Sequence, residues 1–115
     1  MKKRIWTGKI AGTNNGNVIL ILEHRGSNVS GTLTINDFNF GVADYRVIGL
    51  LADGKVHLSG SPSSGTNLAA LSTNVVYGAI EIEGEVKNSR IQGEWVSSIG
   101  TRGVFTIEEQ SYDNL

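Results

Sequence analysis

Glycine lies two residues from a large apolar residue in almost every strand-like segment of this chain. The pattern occurs in Trp6–Gly8, Gly31–Leu33, Gly49–Leu51, Gly78–Ile80, Gly84–Val86 and Gly93–Trp95. Because side chains alternate across a strand, residues two apart share a face, so each glycine lies on the apolar face. Glycine there lets strands coil tightly and approach one another, as at barrel corners. The pattern predicts a strongly curved sheet with open space on its inner face.

The composition limits both the fold class and the available chemistry. The chain has 115 residues, 15 glycines, one proline and no cysteine, which indicates one turn-rich domain without disulfides or thiolate metal ligands. A net charge of -1 gives no electrostatic attraction to nucleic acid or to an anionic membrane. No apolar run approaches the ~18 residues of a membrane span. We expect a single domain over 1–115 with a polar tail at 110–115. The expected location is cytoplasmic, and a mature secreted domain that has lost its signal peptide stays open.

Eight segments alternate between apolar and polar residues and are predicted to be strands. They are Arg4–Gly12, Asn17–Arg25, Val29–Asn36, Val42–Leu51, Lys55–Gly60, Val75–Lys87, Arg90–Ser98 and Val104–Glu109. Short turns join them, and Asn15-Gly16, Asp53-Gly54 and Asn88-Ser89 are typical of tight hairpins. The long stretch Ser61–Asn74 is either a functional lid or a surface insertion.

The strand order predicts how the sheet closes. A flat meander of eight strands would leave two unpaired edges, and closure removes them. We therefore predict an all-β fold, an eight-stranded antiparallel up-and-down β-barrel. Side chains can fill a barrel of this size, or it can hold one small ligand, and both possibilities stay open. A two-sheet sandwich is the alternative, but it needs longer crossovers than most of these turns supply.

Three aromatic side chains are the first candidates for ligand binding. Trp6 and Trp95 have inward parity and each neighbours an inward glycine. Aromatic rings beside open space form stacking walls for planar ligands. The alternative is that the two rings fill the space that the glycines leave. Tyr45 has the same parity and would supply a hydroxyl group at one mouth of the barrel.

Charged side chains give a second set of candidates. His24 lies at a strand end on the apolar parity, where it would either bind a polar group at the barrel mouth or remain partly exposed. Arg46, Arg90 and Arg102 would recognise an anionic ligand if their strand ends meet. The basic cluster Met1–Arg4 is expected to be a solvated N-terminus.

Catalytic and metal-binding motifs are not found in the sequence. His24 and His57 lack the spacing of a metal site, and no Gly-x-Ser-x-Gly motif occurs. Glu81, Glu83 and Glu85 share one strand face, where they would bind a cation or, as we expect, pair across strands with Lys87, Arg90 or Gln92. The sequence therefore predicts no catalytic residue, no metal and no cofactor.

Four segments carry a resemblance to a known family. They are the strand containing Trp6, then Val29–Leu33 (Val-Ser-Gly-Thr-Leu), Tyr45–Gly49 (Tyr-Arg-Val-Ile-Gly) and Ile91–Trp95 (Ile-Gln-Gly-Glu-Trp). Over about Ile5 to Ile107 the chain resembles the avidin/streptavidin-like barrels and, more loosely, the lipocalin-like (calycin) barrels. The resemblance implies an eight-stranded barrel whose outer faces pack together in oligomers.

The ligand-binding positions depart from that family. The resemblance implies an Asn and a Ser on the first strand, and a Tyr and a Ser on the third, for the ureido oxygen of biotin. Gly8, Gly12, Leu33 and Ile35 stand at those places here. Biotin binding is therefore not expected.

Three function classes follow from these observations. The first is a non-enzymatic, oligomeric barrel that holds a small organic molecule, planar or anionic, at its mouth through Trp6, Trp95, Tyr45, His24 and Arg46. The second is a protein-interaction or assembly module with a filled core. Its evidence is a set of apolar residues with outward parity: Ile19, Ile21, Ile48, Leu50 and Val96. A cavity-based isomerase or cyclase is the third and least favoured, because no acid–base pair is visible.

Overall fold

The alternating segments form eight strands in the computed structural model, which describes residues 2–63 and 78–110. They are β1 (Lys2–Gly12), β2 (Gly16–Arg25), β3 (Asn28–Asp37), β4 (Gly41–Ala52), β5 (Lys55–Pro62), β6 (Ile80–Lys87), β7 (Arg90–Ser97) and β8 (Arg102–Glu109). The predicted all-β class is confirmed. In these two stretches the structure contains no helix that is long and apolar enough to cross a bilayer.

The strands close into one antiparallel barrel. Each strand pairs with its neighbour in sequence, and β8 pairs with β1 to complete the ring, so the up-and-down barrel is confirmed and the sandwich alternative is wrong. A row of paired residues that starts at Gly12 in β1 returns to β1 at Lys2 after one circuit, an offset of 10 residues. Such an offset requires strands that tilt steeply to the barrel axis, by ~35–45° in barrels of this type.

Two of the three predicted hairpin turns have the expected backbone. Asp53 and Gly54, and likewise Asn88 and Ser89, all have positive φ, as two-residue hairpin loops require. The turn after β1 differs, because its positive φ lies at Gly12 and not at Asn15-Gly16. Gly16 instead begins β2, where a Cβ atom would clash with the carbonyl oxygen of Asn36 on β3. The Asn-Gly pair is therefore explained by close strand packing.

Two strand boundaries differ from the prediction near the long connection. β5 continues to Pro62, which pairs with Tyr45 of β4, whereas β6 joins β5 only from Gly60 back to Lys55. A proline is tolerated there because no strand among the described residues pairs with it on its other side. β6 begins at Ile80, and the carbonyl of the preceding Ala79 accepts a bond from Ser98 N (2.8 Å); Val75–Tyr77 of the predicted strand lie outside the described residues. Most of the predicted Ser61–Asn74 loop lies outside the described residues.

The inner face of the barrel is filled with apolar side chains. Six of them are almost completely buried: Trp6, Leu22, Val47, Leu58, Ile91 and Ile107. The internal cavity that Trp95, Phe105 and other apolar residues line has a volume of about 20 Å³. That volume suits about one water molecule, whereas sites for organic ligands are ~300–1,000 Å³.

The inward glycines serve close packing rather than an open interior. A Cβ atom on Gly31 would clash with the carbonyl oxygen of Ile21 on the neighbouring strand. A Cβ atom on Gly84 would lie 2.7 Å from the carbonyl oxygen of Gln92 and 3.0 Å from Phe105 Cζ. The expectation of tight coiling is confirmed, and the expectation of open space on the inner face is wrong for the described residues. The strand backbones approach one another closely, and the aromatic rings fill the remaining space inside the barrel.

Replacing Gly31 with alanine tests this use of glycine. The added methyl group must push β2 and β3 apart, because its nearest neighbour is backbone and not a flexible side chain. We expect the free energy of unfolding to fall by about 1–3 kcal/mol, the usual cost of overpacking. Urea titration followed by circular dichroism would measure it, with Ser30→Ala on the outer face of β3 as the control. Equal stability of the two variants would contradict the account.

Candidate functional site

The two tryptophans face the interior, as their parity predicts, but they lie towards opposite ends of the barrel. Trp6 is 0% exposed and Trp95 is 5% exposed. Trp6 pairs with Glu109 at the end of β8, whereas Trp95 pairs with Gly103 near the start of the same strand. The rings therefore do not form the two walls of one mouth.

Arg4 covers Trp6 at the end of the barrel where β1 begins. Its guanidinium lies 4.7 Å from the centroid of the Trp6 ring. Arg4 Nε and Nη2 each donate a 2.7 Å hydrogen bond to a different carboxylate oxygen of Glu109 on β8. Hydrogen bonding to Glu109 raises the pKa of Arg4 above its ordinary value. The expectation of a fully solvated Met1–Arg4 cluster is wrong at Arg4, which shares the inward parity of Trp6 and closes the seam between the first and last strands.

Both indole N–H groups are buried without an acceptor in the described part of the chain. A Cβ atom on Gly103 would lie 2.8 Å from Trp95 Nε1, so this glycine lets the indole pack against β8. A buried donor without a partner destabilises a fold by about 1–3 kcal/mol. The rings are retained here for their volume, because they fill the space between the coiled strands.

The remaining predicted ligand residues are spread over the molecule. Tyr45 is buried on β4 opposite Leu33, and His24 is half-buried near the end of β2 opposite Val29. Arg46 lies on the outer surface and does not face the interior. Tyr45, His24 and Arg46 thus do not converge on one site.

The predicted arginine cluster does not form either. Arg90 begins β7 and Arg102 begins β8, so these two lie at opposite ends of the barrel. Arg46 lies within β4, where it pairs with Thr32 and Ser61 on the neighbouring strands. The prediction of an anion site from these arginines required their strand ends to meet, and the topology separates them.

Asp37 is a buried carboxylate that sequence reasoning missed. It accepts hydrogen bonds from Asn14 Nδ2 (2.8 Å) and from the backbone N–H groups of Asn39 (2.8 Å) and Phe40 (3.1 Å). The spacing Asp-x-Asn-x-Gly over 37–41 is the sequence signal, since Asp bonds to nearby backbone in such turns. These donors occupy Asp37 and tie the β3–β4 turn to the β1–β2 loop. In 2–63 and 78–110 no group of three His, Cys, Asp or Glu side chains is placed to hold a metal ion.

No protein-family model matches this chain, and no curated protein matches it either. The architecture itself is consistent with a calycin-like barrel. At the positions where the biotin-binding set would lie, the interior is apolar and tight. Leu33 and Ile35 are buried, and a Cβ atom on Gly8 would clash with the carbonyl oxygen of Thr106.

The outer surface of β5 to β8 is highly charged, with the glutamates of β6 and β7 lying among Lys55, Lys87, Arg90 and Arg102. The carboxylates of Glu81 and Glu83 lie 3.5 Å and 3.0 Å from the two ring nitrogens of His57 on β5. Glu81 and Glu83 thus contact β5 and not Lys87, Arg90 or Gln92 as expected, whereas Glu85 does lie opposite Gln92 on β7. Glu83 also lies directly opposite Glu94 on β7, an arrangement of like charges that disfavours a sheet.

The outer surface of β2 to β4 has the opposite character. Ile48 is 66% exposed and Leu50 is 54% exposed on β4, and Ile19 is exposed on β2. Thr32 and Thr34 of β3 lie between these two strands and carry no charge. Large apolar side chains in a contiguous exposed region mark interaction surfaces. The outer face of β2 to β4 is thus the less charged and more apolar one, whereas that of β5 to β8 is highly charged.

A double-mutant cycle on Arg4→Gln and Glu109→Gln tests the closing ion pair. The side chains of Arg4 and Glu109 are only 21% and 26% exposed, so we expect a coupling energy of about 1 kcal/mol or more. Arg90 and Glu108 form the matched control, because they are also 2.7 Å apart but 49% and 59% exposed. Their coupling should be smaller, and equal couplings would contradict the account.

The pH dependence of that coupling follows from the raised pKa of Arg4. Because the pKa is raised, the contribution of Arg4 is fully present below the ordinary pKa of an arginine and is lost only above it. The coupling should therefore stay constant from neutral to mildly alkaline pH. Repeating the urea titrations across that range would measure it.

Proposed function

We propose that this protein is a non-enzymatic protein-interaction module that acts through its outer surface. The observation that carries the proposal is the contrast between a filled interior, with a cavity of about 20 Å³, and the exposed apolar side chains Ile19, Ile48 and Leu50 on β2 and β4. A barrel that serves as a container leaves room inside, whereas a barrel that serves as a scaffold fills its interior and uses its surface.

The chemistry of the interior supports a non-enzymatic role. Asp37 is the buried charged residue of the described core, and three hydrogen bonds already engage it. General acid–base catalysis needs a titratable group within reach of a bound substrate. The small cavity is lined by apolar residues and offers no such group.

The exposed apolar residues support an interface with a protein. Exposed isoleucine and leucine side chains such as Ile48 and Leu50 become favourable only when a partner covers them, at about 25 cal/mol per Å² of buried apolar area. A kinship with avidin-like barrels, proposed from the Trp6 and Ile91–Trp95 segments, agrees with a role for the outer faces. The cytoplasmic location stays a prediction of the sequence.

Binding of a small organic molecule is a second candidate, favoured by one observation. The indole N–H groups of Trp6 and Trp95 are buried without acceptors among the described residues. A ligand carbonyl or carboxylate that reached either group would remove a desolvation cost. The filled interior requires the core to rearrange for such a ligand, so this candidate ranks below the interaction module.

Site-specific photo-crosslinking tests the interaction module. A benzophenone side chain at Ile48 should give discrete protein adducts in cells that make the protein natively. The matched control is Gln92, which is also exposed and faces outward but lies on β7, on the highly charged face of the barrel. Adducts from position 48 and not from position 92 are the expected result. Few adducts at either position, or equal adducts at both, would count against the proposal.

Native mass spectrometry of protein purified from its own host tests the second candidate. The interaction module predicts the bare mass of the chain or of its assemblies. A retained extra mass of a few hundred daltons that Trp6→Phe or Trp95→Phe removes would instead support the small-molecule role. Thermal melting of each variant would show that the fold is intact.

A further inference from the structure

We infer that the apolar outer face of β2 to β4 pairs with the same face of a second copy of this chain about a two-fold axis; this inference rests on the proposed interaction role. The argument comes from two adjacent rows of outward residues. The Asp44 row consists of Ile19, Thr34 and Asp44, and the Arg46 row consists of Ile21, Thr32 and Arg46. Each row takes one residue from β2, one from β3 and one from β4.

The Asp44 row and the Arg46 row are complementary when a two-fold axis relates two copies of the chain. A two-fold axis that lies between the rows and parallel to them exchanges the rows when two copies pack face to face. The Asp44 row of one copy then lies over the Arg46 row of the other. Isoleucine meets isoleucine on β2, threonine meets threonine on β3, and aspartate meets arginine on β4. The axis generates every one of these contacts twice.

Asp44 and Arg46 form no salt bridge with any other described residue. The Asp44 carboxylate accepts a hydrogen bond from Thr34 Oγ1 (2.8 Å). Face-to-face sheets pack ~10 Å apart with strands crossing at ~30°, so these long side chains meet close to the axis. Charge complementarity therefore selects a second copy as the occupant.

The next residues along β4 extend the same pattern. The operation that places Asp44 over Arg46 places Val42 over Ile48, and Ile48 is 66% exposed in the single chain.

Charge reversal at the two positions tests the inference. Sedimentation equilibrium on the full chain should show a dimer, and Asp44→Arg or Arg46→Asp alone should each weaken it by about 100-fold, because like charges then face one another. Mixing these two variants should restore association. One variant then has arginine at both positions 44 and 46, the other has aspartate at both, and opposite charges face one another again. The double variant D44R/R46D should also self-associate. Gln92→Arg on the opposite face is the control and should leave the dimer unchanged.

The outcomes separate this inference from the broader proposal. A dimer that survives both single reversals, or a mixture that fails to associate while melting curves show folded protein, would overturn the two-fold pairing. A chain that stays monomeric at high concentration would also overturn it. If Ile48 still gave crosslinks to a different protein in that case, the interaction role would stand without self-association. If Ile48 gave no crosslinks either, both the two-fold pairing and the interaction role would be overturned.

Discussion

Closing eight strands with an offset of 10 residues is the constraint on which the rest of this structure depends. Steeply tilted strands must coil, and at several points they bring a backbone atom of one strand to where a neighbour's Cβ atom would lie. Glycine removes that conflict at positions such as Gly8 and Gly31. The same coiling narrows the interior until a modest set of aliphatic and aromatic side chains fills it. The residues that permit closure therefore also leave little room for a ligand.

The ends and the surface of the barrel follow from that closure. The seam between β1 and β8 joins the two termini of the meander, and Arg4 secures it by binding Glu109 while covering Trp6. Because apolar side chains fill the interior, the polar and charged residues lie mainly at the outward positions. There the sequence divides into a highly charged face on β5 to β8 and a less charged, more apolar face on β2 to β4. A filled barrel with two unlike faces is suited to present surfaces to other proteins.

Periodicity predicts which face a residue occupies but not how far apart neighbouring backbones lie. Trp6 and Trp95 were correctly predicted to face inward, because a two-residue period fixes parity. The expectation of open space inside the barrel was wrong. Only the register between β2 and β3 shows that Gly31 lies against the carbonyl oxygen of Ile21. Arg4 shares the parity of Trp6, but its place in a basic run suggested a solvated residue.

The candidate interface depends on register in the same way. Parity alone indicates that Asp44 and Arg46 face outward on β4. Their alignment with Ile19 and Ile21 depends on the lengths of the turns that set the pairing of β2, β3 and β4, which a one-residue error would shift. Long-range pairings of this kind are not recoverable from local patterns, so the self-complementary rows become visible only in the assembled barrel.

Hydrogen exchange of the two indole N–H protons tests the central claim, a sealed and filled interior, most directly. The chain has two tryptophans, so an NMR spectrum of the folded protein resolves one indole signal for each. The account predicts that both protons exchange slowly with solvent, at rates that track global unfolding as denaturant is added. Fast exchange of either indole in the folded protein would mean that solvent reaches the interior, and it would contradict the account.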